Sequence, residues 1–264
     1  MAQDDIFNGR RASGSRPFLF VAPLLAILLV AGCRGCIAEP PPKEISQLKE
    51  KGWSVQQLTD LITVEKTGCT DADLKTLAEY AQALQKQKKD LEIVLAGSKV
   101  TDAGLTHIKS LANVRVLNAS KTAVTGQGLA AIAGWTNLKS LDLSETKIDD
   151  DGLAHLSKLV NLNSLTLSGC SLTGAGLGSL KDLAELQSLR LDKTQVDDAG
   201  LAKLPPLAKL KNLRLNETRI TDASLEHVQG LPALQELWIQ KAAGISDAGV
   251  KTLEAAKPDL VIER

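Results

Sequence analysis

The chain has 264 residues, of which 44% are hydrophobic and 23% charged, and its formal net charge is zero. That is too apolar for a disordered chain, and the neutral balance leaves no basic footprint for a phosphate backbone. Phe7, Phe18 and Phe20 lie in the first 20 residues, and only Trp53, Tyr80, Trp135 and Trp238 follow. So few aromatics argue against base-stacking platforms and against a glycan ligand, and no nucleic-acid partner is expected.

The N-terminus reads as an address. Arg10, Arg11 and Arg16 precede 14 uncharged residues, Phe18 to Ala31. That run is shorter than the ~20 residues a spanning helix needs and suits the core of a signal peptide. It ends Val30-Ala31-Gly32-Cys33, which resembles the lipobox of bacterial lipoproteins. The resemblance implies cleavage of residues 1–32, lipidation (palmitate) of Cys33, and a cell-envelope protein anchored in a membrane. Arg34 stands where an Asp would signal inner-membrane retention, which favours the outer membrane. Removing Asp4, Asp5 and the three Arg leaves 28 basic and 29 acidic side chains, still near neutral. Residues 33–43 form a linker, stiffened by Pro40 to Pro42.

The remainder, 44–264, is built from a repeat. Val100-Thr-Asp-Ala-Gly-Leu105 recurs in related form ending at Leu129, Leu153, Leu177, Leu201, Leu225 and Val250, at spacings of 24 and finally 25 residues. An earlier copy, Cys69-Thr-Asp-Ala-Asp-Leu74, lies 31 residues ahead of the first. Upstream of these sit blocks such as Leu138-Lys-Ser-Leu141-Asp-Leu143 and Leu186-Gln-Ser-Leu189-Arg-Leu191. Alternation in Leu141-Asp142-Leu143 predicts a strand with one buried face, and Leu153, Leu156 and Leu159 predict a helix buried on one side. Asp or Thr is expected to cap these helices, as at Asp102, Asp150, Asp198, Asp222 and Asp247. Nine strand cores are expected, at 62–64, 93–95, 117–119, 141–143, 165–167, 189–191, 213–215, 237–239 and 260–262. No single repeat can bury its own apolar face, so each leans on its neighbours.

The pattern resembles the leucine-rich-repeat family, and its helix start resembles the ribonuclease-inhibitor-like, cysteine-containing branch. The resemblance covers about residues 59–264. It implies an α/β, right-handed, horseshoe-shaped solenoid with parallel inner strands and outer helices, and protein recognition on the concave face. An N-terminal cap is expected over about 44–58, with a helix from Glu44 to Lys51 stopped at Gly52 and with Trp53 and Val55 covering the first repeat. A longer helix is expected through Leu74, Leu77, Ala81 and Leu84. The last strand is expected to be thinly capped.

Candidate chemistry is sparse. Cys170 falls in register with Thr122, Thr146, Thr194 and Thr218, a column expected to be a buried polar ladder that Thr67 and Ser98 extend. Cys69 takes a core position. The acidic runs at 149–151 and 197–198 read as helix caps, and His107, His155 and His227 as surface residues. No catalytic or metal constellation and no cofactor is expected. On the concave face the strand centres read Val94, Asn118, Asp142, Thr166, Arg190, Arg214 and Trp238. Arg and Trp are enriched in binding hot spots, so Arg190, Arg214 and Trp238, with Asn212, Glu236 and Gln240, form the expected patch for a partner protein. The rival readings are an envelope scaffold that self-associates through the solenoid edges and an enzyme inhibitor.

Overall fold

The computed structural model describes residues 43–264, so the signal segment, Cys33 and Pro40 to Pro42 lie outside the described residues. The described residues begin with helix α1, Lys43–Glu50, which buries Ile45 and Leu48. Gly52 then turns the chain in the left-handed region (φ +82°), and Trp53 and Val55 are buried as expected. Strand β1, Ser54–Gln57, runs antiparallel to β2, Leu61–Glu65, a hairpin that the repeat pattern did not announce.

From β2 onward every strand is parallel to the next. The series continues through β3 (Asp90–Val94), β4 (Val114–Asn118), β5 (Ser140–Asp142), β6 (Ser164–Thr166), β7 (Ser188–Arg190), β8 (Asn212–Arg214), β9 (Glu236–Trp238) and β10 (Val261–Glu263). The result is one sheet in the order β1 to β10 without a crossover, which makes the architecture a leucine-rich-repeat solenoid. The nine parallel strands match the nine expected cores. In the central repeats the strands start one residue earlier than expected, because Ser140 already pairs with Ser164 and Ser164 with Ser188.

The buried columns are nearly pure leucine. Leu141, Leu165, Leu189, Leu213 and Leu237 stack in register, and all five are inaccessible to solvent. Burying one such side chain is worth about 1.5–3 kcal/mol, and here it is buried only because a neighbour covers it.

The outer segments depart from the expected α-helices. Helix α2 (Asp71–Glu79) and helix α3 (Ala81–Lys86) divide at Tyr80 what was expected to be one helix, although Leu74, Leu77, Ala81 and Leu84 are all buried. Helix α4 is Asp102–Ile108, and α5 is a short Leu129–Ile132 preceded by a 3₁₀ turn, Gly126–Gly128. Two central repeats use 3₁₀ helices throughout, Asp151–Leu156 and Leu177–Asp182. Leu153, Leu156 and Leu159, or Leu177, Leu180 and Leu183, recur every third residue, which suits a 3₁₀ turn, but Leu105, Ile108 and Leu111 keep the same spacing in α-helical α4, so spacing alone does not set the helix type. The last outer helices are α6 (Asp198–Leu201), α7 (Asp222–Gln229) and α8 (Asp247–Ala256).

In the Thr-Asp-x-Gly-Leu motif the Thr caps, as one of the two expected residues, and the Asp does something else. Thr101, Thr125, Thr221 and Ser246 are the N-cap residues, and the Asp that follows Thr101, Thr221 and Ser246 does not cap its own helix. Its carboxylate instead reaches forward to the next repeat. Asp102 accepts the Thr125 N–H at 2.8 Å and the Thr125 hydroxyl at 2.7 Å. Asp71 does the same for Thr101, Asp150 for Thr173, Asp198 for Thr221 and Asp222 for Ser246. At the two remaining junctions the forward position is Gly126 or Gly174, and the next N-cap position holds an Asp. Asp149 then accepts from its own Gly152 N–H and Asp197 from its own Gly200 N–H. Each junction therefore has one bridging or capping carboxylate, supplied from one side or the other.

Glycine recurs in the repeats because the neighbouring coil leaves no room for a side chain: backbone crowds Gly152, Gly176 and Gly200, and the bridging carboxylate crowds three others. A Cβ on Gly104, Gly128 or Gly249 would sit 2.2–2.3 Å from the Oδ1 of Asp71, Asp102 or Asp222. Ser224 replaces Gly in one repeat, and its hydroxyl donates to Asp198 through a very short hydrogen bond. Asp73 replaces it in the first repeat, into which no preceding Asp reaches. There Asp73 itself accepts from the Thr70 N–H and hydroxyl, at 2.9 and 2.7 Å. Asp247, the last in the series, pairs with Arg264 at 2.6 Å.

The buried ladder is as expected through most of its length. Thr122, Thr146, Thr194 and Thr218 each donate to a carbonyl three residues back, and Cys170 donates through Sγ to the Leu143 carbonyl at 3.1 Å. Ser98 is buried in the column with its hydroxyl unpartnered. Thr67 is exposed, so the ladder starts one repeat later than expected.

Candidate functional site

The strand alternation that buries the leucines turns their neighbours outward onto the open sheet face. Val94 pairs in register with Asn118, Asn118 with Asp142, Asp142 with Thr166, Thr166 with Arg190, Arg190 with Arg214, and Arg214 with Trp238. Two guanidiniums and an indole that are far apart in sequence thus lie side by side at a strand spacing of about 4.8 Å. The Arg214 Cζ stands 5.4 Å from the centre of the Trp238 ring, a cation–π distance. Asn212 and Glu236 are register partners at the other end of the same two strands, and Gln240 lies beyond Trp238. The turned-over Asn212 amide reaches Glu236 Oε2 at 3.3 Å. All six expected patch residues are thus on one face.

Asp192, which lies just outside the expected patch, is central. Its Oδ2 lies 3.2 Å from Arg214 Nε and 3.7 Å from Arg190 Nε. Neither approach is a hydrogen bond, and both buried Nε atoms lack a hydrogen-bond partner. The Asp192 Oδ1 is occupied by the Asn216 N–H at 3.1 Å, and the Asn216 Oδ1 by the Gln240 N–H at 2.7 Å. At Asn118 and Asp142 the side-chain oxygen turns locally instead, accepting from the N–H two residues on, of Ser120 and Ser144.

A groove of about 490 Å³ runs along this face, from Ser120 to Gln240. Its rim is a column of residues held in the left-handed region, Lys121, Glu145, Gly169, Lys193, Glu217 and Lys241, all with φ between 55° and 71°. Lys121 pairs with Glu145 at 3.4 Å and Lys241 with Glu217 at 3.6 Å. Lys193 has no such ion pair among the described residues. Arg190 and Arg214 therefore share one carboxylate, Asp192, while Lys193 has none among the described residues.

The other titratable groups belong to the scaffold. Burial pushes the Cys69 thiol up to about 11 and moves the Cys170 thiol up as well. His107 is exposed, His155 is half-buried, and His227 is half-buried with its ring Nε2 2.8 Å from the Leu204 carbonyl. Among the described residues no cluster of three or more His, Cys, Asp or Glu side chains is arranged to hold a metal ion. No helix there is long and apolar enough to cross a membrane.

Fold and face together define a leucine-rich-repeat solenoid with an open, charged concave sheet. Family models described as Leucine Rich Repeat match residues 136–157 and 161–183. Among solved structures, an internalin, InlF, from Listeria monocytogenes is similar at 22% identity with a TM-score of 0.60, over 76% of this chain and 52% of that one. Internalin C2 from the same organism is similar at 26% identity with a TM-score of 0.56, over 76% of this chain and 79% of that one. The chain thus spans about half the length of the first of these. No curated protein matches the chain significantly. Leucine-rich-repeat domains generally mediate protein–protein interaction.

Proposed function

We propose that the chain is a membrane-anchored recognition module that binds a partner protein on its concave strand face. The observation that carries this reading is the in-register row Arg190–Arg214–Trp238 on an open sheet face. The arginines line the groove and Trp238 lies beside them against Arg214, so charge and apolar area are offered together, the composition of an interface centre. Nothing in the face assembles a nucleophile, a base and an oxyanion donor, so the reading is of binding and not catalysis.

Crosslinking and capture from intact envelopes test it, comparing wild type with an Arg190→Glu, Arg214→Glu, Trp238→Ala variant of equal fold and fractionation. A partner lost only from the variant supports the concave site. A partner retained by both overturns it.

The anchor is proposed from the sequence pattern ending at Cys33, with an envelope location and a preference for the outer membrane. Incorporation of labelled palmitate that is abolished by Cys33→Ala supports it, and incorporation that persists in the variant overturns it.

Self-association as a scaffold is the second reading. It is favoured by β10, which pairs with β9 alone among the described residues and leaves Val261 exposed. A sedimentation coefficient that does not change with concentration argues against it.

A further inference from the structure

We infer that the C-terminal half of the concave groove takes an acidic linear segment of the partner protein, with a carboxylate held by the terminal nitrogens of Arg190 and Arg214 and flanked by Lys193. This rests on the concave-face reading above and adds the chemistry of the occupant.

Three observations converge. The first is charge. Arg190 and Arg214 share Asp192, Lys193 is unpaired among the described residues and Lys241 is offset by Glu217, so the residues lining this half of the groove keep an excess of positive charge. The opposite end, where Asp142 and Glu145 outnumber Lys121, does not. Such asymmetry orients a charged occupant and excludes a basic one.

The second is hydrogen bonding. Neither guanidinium makes a hydrogen bond within the described chain, and both Nε atoms are buried without an acceptor. Buried donors left without acceptors are costly, and a second carboxylate is the ligand that matches a planar guanidinium.

The third is geometry. Asp192 lies close to the Nε edge of both side chains, which leaves their terminal nitrogens to the groove. The two guanidiniums are neighbours across one strand spacing, so a single extended peptide crossing the strands meets both. Trp238, stacked under Arg214, supplies apolar area next to them.

The site carries its own reporter. Trp53 and Trp135 are buried in the core, whereas Trp238 is half-buried and touches Arg214, so fluorescence changes on binding at this site arise from Trp238. The experiment is a fluorescence titration of the full chain in detergent with three probes: a peptide of alternating Glu and Ala, its Lys–Ala counterpart, and free glutamate. The expected result is that the Glu peptide shifts the emission and binds at least about tenfold tighter than the Lys peptide, with the preference fading as salt is raised. Arg190→Glu with Arg214→Glu reverses the order of the two peptides, a reversal that mere loss of packing does not produce. Trp238→Phe abolishes the signal.

Equal responses to both peptides overturn the inference. So does an equal response to free glutamate at matched carboxylate concentration, an unchanged order in the double variant, or a signal that survives Trp238→Phe. If the Glu peptide fails while the triple variant still loses its captured partner, the concave face remains the recognition site and its occupant is not acidic.

Discussion

The Asp150 carboxylate spans a repeat junction and accepts from the Thr173 N–H at 3.0 Å, the Thr173 hydroxyl at 2.7 Å, and the N–H groups of Gly174 and Gly176 at 3.1 and 3.0 Å. Its neighbours in the Asp149-Asp150-Asp151 run do different work. Asp149 caps its own turn, and Asp151 is exposed without a hydrogen bond in the described chain. Asp150→Ala therefore destabilises by about 2–3 kcal/mol, because it strands several partly buried donors. Asp149→Ala costs about 1 kcal/mol, the usual value of a lost cap. Asp151→Ala stays within about 0.5 kcal/mol. Urea unfolding of the three variants checks the order, and equal effects at 150 and 151 defeat the junction account.

Acid sensitivity follows from the same carboxylates. Burial raises the Asp150 carboxyl, but the donors of Gly176, Thr173 and Gly174 outweigh it and hold the group below its ordinary value. At Asp198 burial is likewise outweighed, by Ser224 and Thr221, and at Asp222 the Ser246 hydroxyl and N–H lower the carboxyl directly. A carboxyl lowered in the folded state contributes stability that is fully present above its unfolded value, about 4, and is lost as pH falls through the folded value. Stability to urea should be level from about pH 7 to pH 5 and should decline below about pH 4. Asp150→Asn should show a shallower decline than wild type, and an identical slope would argue against Asp150 as a contributor.

Glycines at the junctions are there for space. Gly128→Ala places a methyl 2.3 Å from the Asp102 carboxylate and should destabilise by about 1–3 kcal/mol while weakening the bridge to Thr125. A methyl added at Gly134, in the turn after α5, meets nothing within 4 Å, so Gly134→Ala should be neutral or up to about 1 kcal/mol stabilising. Thermal unfolding of both variants separates crowding from chain entropy.

The groove rim stores backbone strain at non-glycine positions. Glu145 has φ +55°, a conformation that costs an L-residue about 1–2 kcal/mol, while its ion pair with Lys121 is largely exposed and contributes little. Glu145→Gly should stabilise by about 0.5–1 kcal/mol. Gly169, at φ +71° in the same column, should lose stability on replacement by Ala. Opposite signs in a paired denaturation experiment are the expected outcome.

Cys69 and Cys170 should resist alkylation. Burial holds Cys69 at about 11 and keeps Cys170 raised, so almost no thiolate is present near neutral pH. Peptide mapping after iodoacetamide should find both unmodified in the folded chain and modified in urea. Cys170→Thr, which restores the residue found at 146 and 194, should preserve stability within about 1 kcal/mol.

The repeat, the strand count, the leucine core, most of the threonine ladder and the row Arg190, Arg214, Trp238 were all legible in the amino-acid order, because each is a consequence of a fixed period laid over alternating side-chain directions. The junction rule was written there too, in the Gly that replaces Asp at 126 and 174 and the Asp that replaces Thr at 149 and 197. Helix capping explains the same residues locally, and so hides the rule. Relationships across repeats emerge only from the folded chain. Asp102 serves Thr125 and not its own helix, two central repeats wind 3₁₀ helices where others are α-helical, and Asp192 sits between two arginines. Each depends on how closely one coil stacks on the next, a distance set by packing that no single repeat encodes.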